Sequence, residues 1–177
     1  MRPVVRDATE RDVAALAAVH VAGRAWAYRG LVPDALLDTA AVRRERETRW
    51  DRFVSQPPPR SLVQLAEHVG RPSGIVSAGP CRDDDADDSV AEIYSLYLRA
   101  EELAGHGLGR ALMRSALARL RELDYATVRL WALATNERAR RFYVRGGWRP
   151  DGAMKVDTLA GIPLRQARFR RALADRS

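Results

Sequence analysis

The feature of this sequence that most restricts its fold is a glycine-dense turn between a predicted strand and a predicted helix. The turn reads Gly-His-Gly-Leu-Gly-Arg over residues 105–110 and follows a strand-like run at residues 93–98. A turn that opens a helix presents unpaired backbone N–H groups at the positive end of the helix dipole. Glycine also lets an anion approach the main chain without a Cβ in the way. We therefore predict that the backbone here binds a phosphate-bearing ligand.

The two familiar nucleotide-binding loops do not fit this turn. A P-loop requires Gly-Lys-Ser/Thr, but Gly109 is followed by Arg110 and Ala111. A dinucleotide fingerprint, Gly-x-Gly-x-x-Gly, would begin at Gly105 and require glycine where Arg110 stands. The phosphate-binding turn is therefore of neither kind.

The segments around the turn predict a strand–helix–strand–helix unit. Residues 91–98 are rich in β-branched, aromatic and other apolar residues, as in an interior strand. Apolar positions recur at helical spacing from Leu108 onward, residues 127–132 alternate like a second strand, and residues 136–145 follow as a second helix. The two strands of such a unit are parallel neighbours joined by a right-handed crossover.

With these segments placed, the sequence resembles the GCN5-related N-acetyltransferase (GNAT) superfamily. Its signature, Gln/Arg-x-x-Gly-x-Gly/Ala at a strand-to-helix junction, corresponds to residues 104–109. Its later pattern of asparagine, alanine, tyrosine and glycine corresponds to residues 136–148, so the resemblance is strongest over residues 92–148. This chain departs from the pattern at Ala104, where the family has Gln or Arg, and at Ala100, which replaces a common proline.

The resemblance implies a fold and an activity. The fold is α/β (α+β), with a mixed central sheet flanked by helices and a splayed pair of parallel strands that binds acetyl-coenzyme A (acetyl-CoA). The activity is transfer of the acetyl group of acetyl-CoA to a primary amine of a small molecule. Two alternatives stay open: a protein or peptide N-acetyltransferase, and a catalytically inactive sensor domain that binds coenzyme A.

The resemblance also implies which groups hold acetyl-CoA. Main-chain groups of Leu96 and Leu98 are expected to pair with the pantetheine arm like an added strand, and their amides are placed to polarise the thioester carbonyl. Asn136 and Ala139 lie on a helix face that meets the cosubstrate in the family. The pyrophosphate is expected on the backbone of Gly105, His106, Gly107, Leu108, Gly109 and Arg110, with the Leu108 side chain in the core.

Tyr143 and Glu92 are the predicted catalytic residues. Tyr143 lies two helical turns after the asparagine of the same face, and in the family this tyrosine protonates or hydrogen-bonds the departing thiolate. Glu92 occupies the family's common glutamate position and is the leading candidate to accept the amine proton, directly or through water. The alternative for Glu92 is an ion pair with an arginine. Trp26, Tyr28 and Tyr94 are predicted to line the acceptor pocket.

Length and composition narrow the domain number, the cellular location and the metal content that we expect of this protein. A chain of 177 residues is predicted to form one domain over residues 1–177. Residues 1–11 lack the apolar core of a signal peptide, and no run approaches the length of a membrane span, which predicts a cytoplasmic protein with no membrane partner. Cys81 is the only cysteine, and the three histidines lack metal-ligand spacing, so we predict no metal.

The formal charge is +7, and all basic residues except Lys155 are arginine. The arginines are spread along nearly every predicted element and interleaved with acids, a pattern typical of solvated helix faces. A coenzyme with several phosphate groups also needs positive surroundings, which Arg110, Arg138 and Arg141 are placed to supply. We therefore predict no nucleic-acid partner. A homodimer is an expectation from family habit alone.

The rest of the chain predicts two helices followed by strands. A strand at residues 3–6 precedes a helix that Thr9 caps. The acidic loop at residues 83–88 is predicted to be an exposed turn, with a divalent-cation site as the alternative. The other predicted elements are a short helix from Pro33, a longer helix at 39–54, and strands at 61–67, 74–79, 155–159 and 163–169.

Overall fold

The computed structural model describes residues 3–99 and 107–173, and these residues form one seven-stranded sheet. The strands lie in the order β1-β2-β3-β4-β5-β7-β6, and every neighbouring pair is antiparallel except β4 and β5, which are parallel. The mixed sheet predicted from the sequence is therefore confirmed. The strands are β1 (Val4–Asp7), β2 (Leu62–His68), β3 (Arg71–Pro80), β4 (Val90–Leu98), β5 (Thr127–Leu133), β6 (Arg149–Leu159) and β7 (Ile162–Ala172).

Helices cover both faces of the sheet, as the predicted fold class requires. The helices within the described ranges are α1 (Val13–Ala27), α2 (Ala40–Ser55), α3 (Leu108–Glu122) and α4 (Glu137–Arg145). Short 3₁₀ turns lie at Glu10–Asp12 and Asp34–Leu36. The predicted cap at Thr9 is present: the Thr9 N–H donates to the Asp12 carboxylate over 2.8 Å, which begins the first helical segment.

The larger core lies between α3 and the sheet. Leu108, Leu112, Ala116 and Leu120 recur every four residues and are all fully buried, so one stripe of α3 faces the strands. Burying each leucine contributes about 1.5–3 kcal/mol. The predicted helical periodicity after the glycine-dense turn is thus confirmed, and it fixes the position of the N-terminus of α3.

A second core lies on the opposite face, under α1 and α2. Leu16 and Val19 of α1 pack with Trp50 of α2 onto Leu65 and Ile75 of the sheet. The two helices also contact each other along this face. The sheet therefore separates α1 and α2 from α3.

The segment between α1 and α2 forms a third, smaller core with the strands at the other end of the sheet. Val32 and Leu37 are buried against Leu133 of β5 and Leu164 of β7. Tyr28 packs against the same cluster. The segment therefore spans from the helices to the β6–β7 hairpin.

The acidic loop between β3 and β4 is held against the sheet by ion pairs. Asp83 accepts hydrogen bonds from Arg168 over 3.0 Å and from the Trp131 indole over 2.9 Å, and Asp85 accepts from Arg129 over 2.6 Å. The Arg168 and Asp83 side chains are only 12% and 13% exposed, so the prediction of an exposed turn is wrong for Asp83. These arginines lie far along the chain from the loop, which is why local composition did not reveal the pairing.

Two features are absent from residues 3–99 and 107–173, the part of the chain that the structure describes. There, no group of three or more histidine, cysteine, aspartate or glutamate side chains is arranged to hold a metal ion. No helix in the same ranges is long and apolar enough to cross a membrane.

Gly23 lets α1 approach β4 closely, and this contact can be tested by adding a methyl group. A Cβ at Gly23 would lie 2.6 Å from the Tyr97 Cβ and 2.8 Å from the Leu98 carbonyl oxygen. Glycine-to-alanine changes in helices normally stabilise by about 1 kcal/mol. We expect the opposite sign for Gly23→Ala, a loss of about 1–3 kcal/mol in the free energy of unfolding, because the methyl group overpacks the contact.

The measurement is chemical denaturation, with Ala14→Gly at an exposed position of the same helix as the control for helix propensity. The control is expected to lose about 1 kcal/mol. A Gly23→Ala protein more stable than the parent would contradict the close contact between α1 and β4.

Candidate active site

The parallel strands β4 and β5 separate halfway along their length. Their backbone pairing runs only from Val90 opposite Thr127 to Ile93 opposite Leu130, although β4 continues to Leu98. Beyond Ile93, the edge of β4 that faces β5 has no strand beside it in the described part of the chain. Its main-chain N–H and C=O groups are therefore available to an extended ligand. The predicted splay of the parallel pair is confirmed.

The splay opens into a cleft of about 1230 Å³ that is lined by residues of β4, β5, α1, α3 and α4. Of the predicted site residues that the structure describes, all except Leu108 and Glu92 line this cleft. The Leu108 side chain is fully buried in the core, as expected. Gly105 and His106 lie outside the described residues. The sequence therefore identified residues from four separate elements that come together around one cavity.

The N-terminus of α3 points its unpaired N–H groups toward the cleft. Gly107 precedes the helix with φ +82°, a left-handed conformation that glycine adopts without strain, and it offers no side chain to cap the helix. The first helical hydrogen bond runs from the Ala111 N–H to the Gly107 carbonyl over 2.9 Å. The N–H groups of Leu108, Gly109 and Arg110 therefore have no acceptor among the described residues.

This N-terminus fits a phosphate group. Among the described residues, a Cβ built at Gly107 would meet no atom within 4 Å and one at Gly109 would approach only Phe142, at 3.6 Å, so these residues leave the space over the turn open. Arg110 and Arg114 line the same part of the cleft. The open space, the free N–H groups and the two guanidinium groups together suit the pyrophosphate of a coenzyme.

Leu96 and Leu98 serve two purposes through different atoms. Their side chains pack against the core beneath α3. Their main-chain atoms lie on the part of β4 that has lost its pairing with β5. The hydrophobic side chains thereby fix the strand edge whose backbone faces the cleft.

α4 borders the cleft through the predicted face of Asn136, Ala139 and Tyr143. Asn136 caps the helix, because its side-chain oxygen accepts a hydrogen bond from the Ala139 N–H over 3.0 Å. This bond uses the oxygen of the amide and leaves its NH₂ group as a donor. Asn136 therefore starts the helix and lines the cleft with the same side chain.

Tyr143 is held firmly by aromatic neighbours. Its ring centroid lies 5.4 Å from that of Phe142, 6.0 Å from that of Trp148 and 5.8 Å from that of Phe169. Burial raises the pKa of the Tyr143 hydroxyl to about 12, so the group is protonated at neutral pH. No hydrogen bond joins this hydroxyl to another described residue. The cleft wall therefore carries a protonated tyrosine hydroxyl whose ring is held by its neighbours.

Glu92 lies on β4 but not on the cleft surface. Its carboxylate accepts hydrogen bonds from the Arg82 backbone N–H over 3.1 Å and from the Arg82 guanidinium over 2.7 and 3.0 Å. Arg82 in turn lies over the ring of Tyr94, 4.2 Å from its centroid, and Tyr94 lines the cleft. The ion pair that the sequence left open as the alternative for Glu92 is thus present. Tyr94 and Arg82 connect Glu92 to the cleft.

The predicted aromatic residues of the acceptor side are paired with arginines. Arg138 of α4 lies over Trp26 at 4.2 Å from the ring centroid, which links α4 to α1 across the cleft. Arg24 lies over Tyr28 at 5.5 Å. Burial also raises the pKa of the Tyr28 hydroxyl above its ordinary value. This side of the cleft is therefore aromatic and bordered by positive charge.

Sequence reasoning missed Tyr97 and Trp131, which also line the cleft. Tyr97 alternates with Leu96 and Leu98, so strand periodicity places it on the opposite face of β4, toward α1. Trp131 alternates in the same way with the buried residues of β5 and donates its indole N–H to Asp83. The alternation of side chains along each strand was the sequence signal that could have identified both residues.

A strand splay, a helix N-terminus suited to pyrophosphate and a partly buried, protonated tyrosine at one cleft are typical of a group-transfer enzyme that uses a phosphate-bearing cosubstrate. The sequence model described as "Acetyltransferase (GNAT) family" matches residues 27–148. The chain belongs to this family and is an acetyl-CoA-dependent acetyltransferase.

This chain is similar to known relatives and to solved structures over most of its length. "Probable N-acetyltransferase Rv2775" of Mycobacterium tuberculosis is 29% identical over 154 residues, which cover 84% of this chain and 80% of the relative. The ribosomal-protein-alanine N-acetyltransferase of Brucella melitensis has a TM-score of 0.72 at 23% identity, over 96% of this chain and 99% of that one. The PaiA N-acetyltransferase of Thermoplasma acidophilum, crystallised with coenzyme A, has a TM-score of 0.70 at 18% identity, over 97% and 99%. At these identities the two structures show a common fold.

The phosphate site can be tested at Gly107. Gly107→Ala adds a methyl group at the open N-terminus of α3 and strains a residue with φ +82°. We expect the dissociation constant of coenzyme A to rise about tenfold, because the strained turn misaligns the N–H groups. Isothermal titration calorimetry measures this change.

The matched control is Gly161→Ala, in the turn between β6 and β7. Gly161 has φ +81° and an equally open Cβ position, so it carries the same backbone strain, but it does not line the cleft. We expect a similar loss of stability with unchanged coenzyme affinity. Equal affinity in both variants would contradict the assignment of the α3 N-terminus as the phosphate site.

Proposed function

We propose that the protein transfers the acetyl group of acetyl-CoA to a primary amine of a small molecule, with both substrates bound at once. The packing of the segment between α1 and α2 on the sheet is the observation that favours a small acceptor. Val32 and Leu37 pack against Leu133 and Leu164, so the segment between α1 and α2 lies directly on β5 and β7. An extended peptide would need an open channel between these elements, whereas a small amine would not.

Acetyl-CoA supplies an activated thioester carbonyl as the acetyl donor. In the proposed complex, the N–H groups of Leu108, Gly109 and Arg110 bind the pyrophosphate. The free backbone edge at Leu96 and Leu98 pairs with the extended pantetheine arm and directs the thioester toward the acceptor side. These contacts hold the two reacting groups together, which removes much of the entropic cost of their encounter.

Tyr143 acts as the general acid in this proposal. Its hydroxyl is protonated at neutral pH and lacks a partner within the described ranges, so it is free to donate a proton to the departing thiolate sulfur. The rings of Phe142, Trp148 and Phe169 restrict its orientation. A fixed donor needs little reorganisation when negative charge develops on the sulfur.

Glu92 receives the amine proton through water in this proposal. A direct contact is disfavoured, because both carboxylate oxygens accept hydrogen bonds from Arg82. Tyr94 lines the cleft, contacts Arg82 and donates its own hydroxyl to the Pro80 carbonyl over 2.6 Å. A water chain past Tyr94 would link the ammonium group to the carboxylate.

The first test is turnover of acetyl-CoA with panels of small amines and of peptides, followed by release of the coenzyme thiol. We expect turnover with small amines. Turnover confined to peptides would favour the protein or peptide N-acetyltransferase, the class for which the Brucella melitensis enzyme is named. Tight coenzyme binding without turnover of any amine would favour a sensor domain.

Tyr143→Phe tests the proton donor. The change keeps the packed ring and removes only the hydroxyl, so we expect kcat to fall about a hundredfold while the affinity for acetyl-CoA changes little. Tyr125→Phe is the control, because the Tyr125 hydroxyl donates to the Arg60 carbonyl away from the cleft. A wild-type kcat in Tyr143→Phe would remove this tyrosine from the mechanism.

Glu92→Gln tests the proton acceptor through pH–rate profiles with one amine. We expect kcat/KM to fall on the low-pH limb, where the amine is protonated and needs a base, and to approach the parent value at high pH, where the free amine predominates. Glu67→Gln is the control, since Glu67 also pairs with an arginine, Arg6, away from the cleft. Superimposed profiles for Glu92→Gln and the parent would exclude Glu92.

A further inference from the structure

Two arginines face each other where α1 and α2 meet beside the cleft. His20 of α1 lies against Trp50 of α2, with 5.8 Å between the ring centroids. Arg24 and Arg46 each lie one helical turn from this pair, four residues away on the same faces of the two helices. Burial and the nearby charge of Arg24 lower the pKa of Arg46. Helix geometry and electrostatics thus agree that these two cations are close neighbours.

Among the described residues, neither of these two guanidinium groups forms an ion pair with a carboxylate, unlike other arginines of α2. Arg49 pairs with Glu45 over 2.7 Å, and Arg43 pairs with Asp38. No ion pair involves Arg24 or Arg46 within residues 3–99 and 107–173. The Nε of Arg46 is also buried without a hydrogen-bond partner. Holding two unpaired cations together at a partly buried site is unfavourable unless an anion binds there.

The arginine pair lies behind two tyrosines that line the cleft, although neither arginine lines the cleft itself. Arg24 lies over Tyr28, and His20 packs on Tyr97 with 4.7 Å between centroids; both tyrosines line the cleft. The charges of Arg24 and Arg46 also act on the Tyr97 hydroxyl. His20 adds no charge, because burial and the surrounding arginines lower its pKa to about 3.

The coenzyme phosphates do not account for this positive site. Their proposed binding groups lie at the N-terminus of α3, which packs on the other face of the sheet from α1 and α2. The two positive regions are therefore separated by the sheet. An anion at Arg24 and Arg46 would belong to the second substrate.

We propose that the acceptor amine carries an anionic oxygen group, a carboxylate or a phosphate, which Arg24 and Arg46 bind at the α1–α2 edge of the cleft. The proposal rests on the acetyl transfer proposed above and specifies its substrate class. Arginine suits this role, because its planar guanidinium donates two parallel hydrogen bonds to either kind of group.

The test compares amines that differ only in their anionic group. β-Alanine is compared with its amide, and O-phosphoethanolamine with ethanolamine, using kcat/KM at saturating acetyl-CoA. We expect the anionic member of at least one pair to be preferred about tenfold or more, which corresponds to one charge-assisted interaction. The pair with the larger preference identifies carboxylate or phosphate as the recognised group.

Variants then assign the preference to the arginine pair. Arg24→Gln and Arg46→Gln are each expected to lower kcat/KM for the preferred amine about tenfold, with little change for its neutral partner and for the affinity for acetyl-CoA. Arg46→Lys keeps the charge and should restore part of the loss. The control is Arg44→Gln, which removes the same charge from an exposed position of α2 and should change neither amine.

Two outcomes would overturn the proposal: equal use of the charged and neutral amines, or equal losses in Arg44→Gln and Arg46→Gln. If no amine is turned over, the acetyl transfer itself fails, and calorimetry decides the anion site separately. In that case the same amines are titrated into the protein saturated with coenzyme A. Binding of an anionic amine that Arg46→Gln weakens supports the site, and equal binding of the charged and neutral amines rejects it.

Discussion

The loss of backbone pairing between β4 and β5 after Ile93 and Leu130 determines where chemistry can take place. Antiparallel partners hold each strand on its other side: β3 pairs with β4, and β7 pairs with β5. The sheet therefore stays continuous at one end while a gap opens at the other. Because the free edge belongs to a rigid strand, its N–H and C=O groups keep a fixed direction. Such an edge binds an extended ligand with little loss of conformational entropy.

The parts of the site that the sequence predicted best are those whose residues recur at helical spacing along one segment. The stripe of α3 from Leu108 and the helix face from Asn136 to Tyr143 were both read from spacing, and both border the cleft or its core as expected. The ion pairs of Asp83 with Arg168 and of Glu92 with Arg82 were not assigned, because they join residues that only the folded sheet brings together. The arginine pair between α1 and α2 depends on how two helices are rotated against each other, which one sequence does not specify.

The sheet also contains more strand than the pattern indicated. β6 spans Arg149–Leu159, whereas the prediction began at residue 155. Pro150 and Gly152 interrupt the alternation, and the register with β7 shifts between Pro150 and Met154. β6 lies at the edge of the sheet, where a proline and a bulge are tolerated because one side of the strand needs no partner. Propensity rules that disfavour proline and glycine in strands therefore miss this half of the strand.

The double use of the Asn136 side chain makes α4 unusual among the helices. α4 is nine residues long, none of its residues is fully buried, and its first turn depends on the bond from the Ala139 N–H to Asn136. Phe142 and Tyr143 anchor the second half of α4 on the core, whereas its first turn is mostly exposed and lies at the low end of local stability. Contact between a ligand and Asn136 would order the first turn, and by reciprocity an ordered first turn would favour the ligand. The slow exchange of amide hydrogens in α4 would thus report occupancy of the cleft.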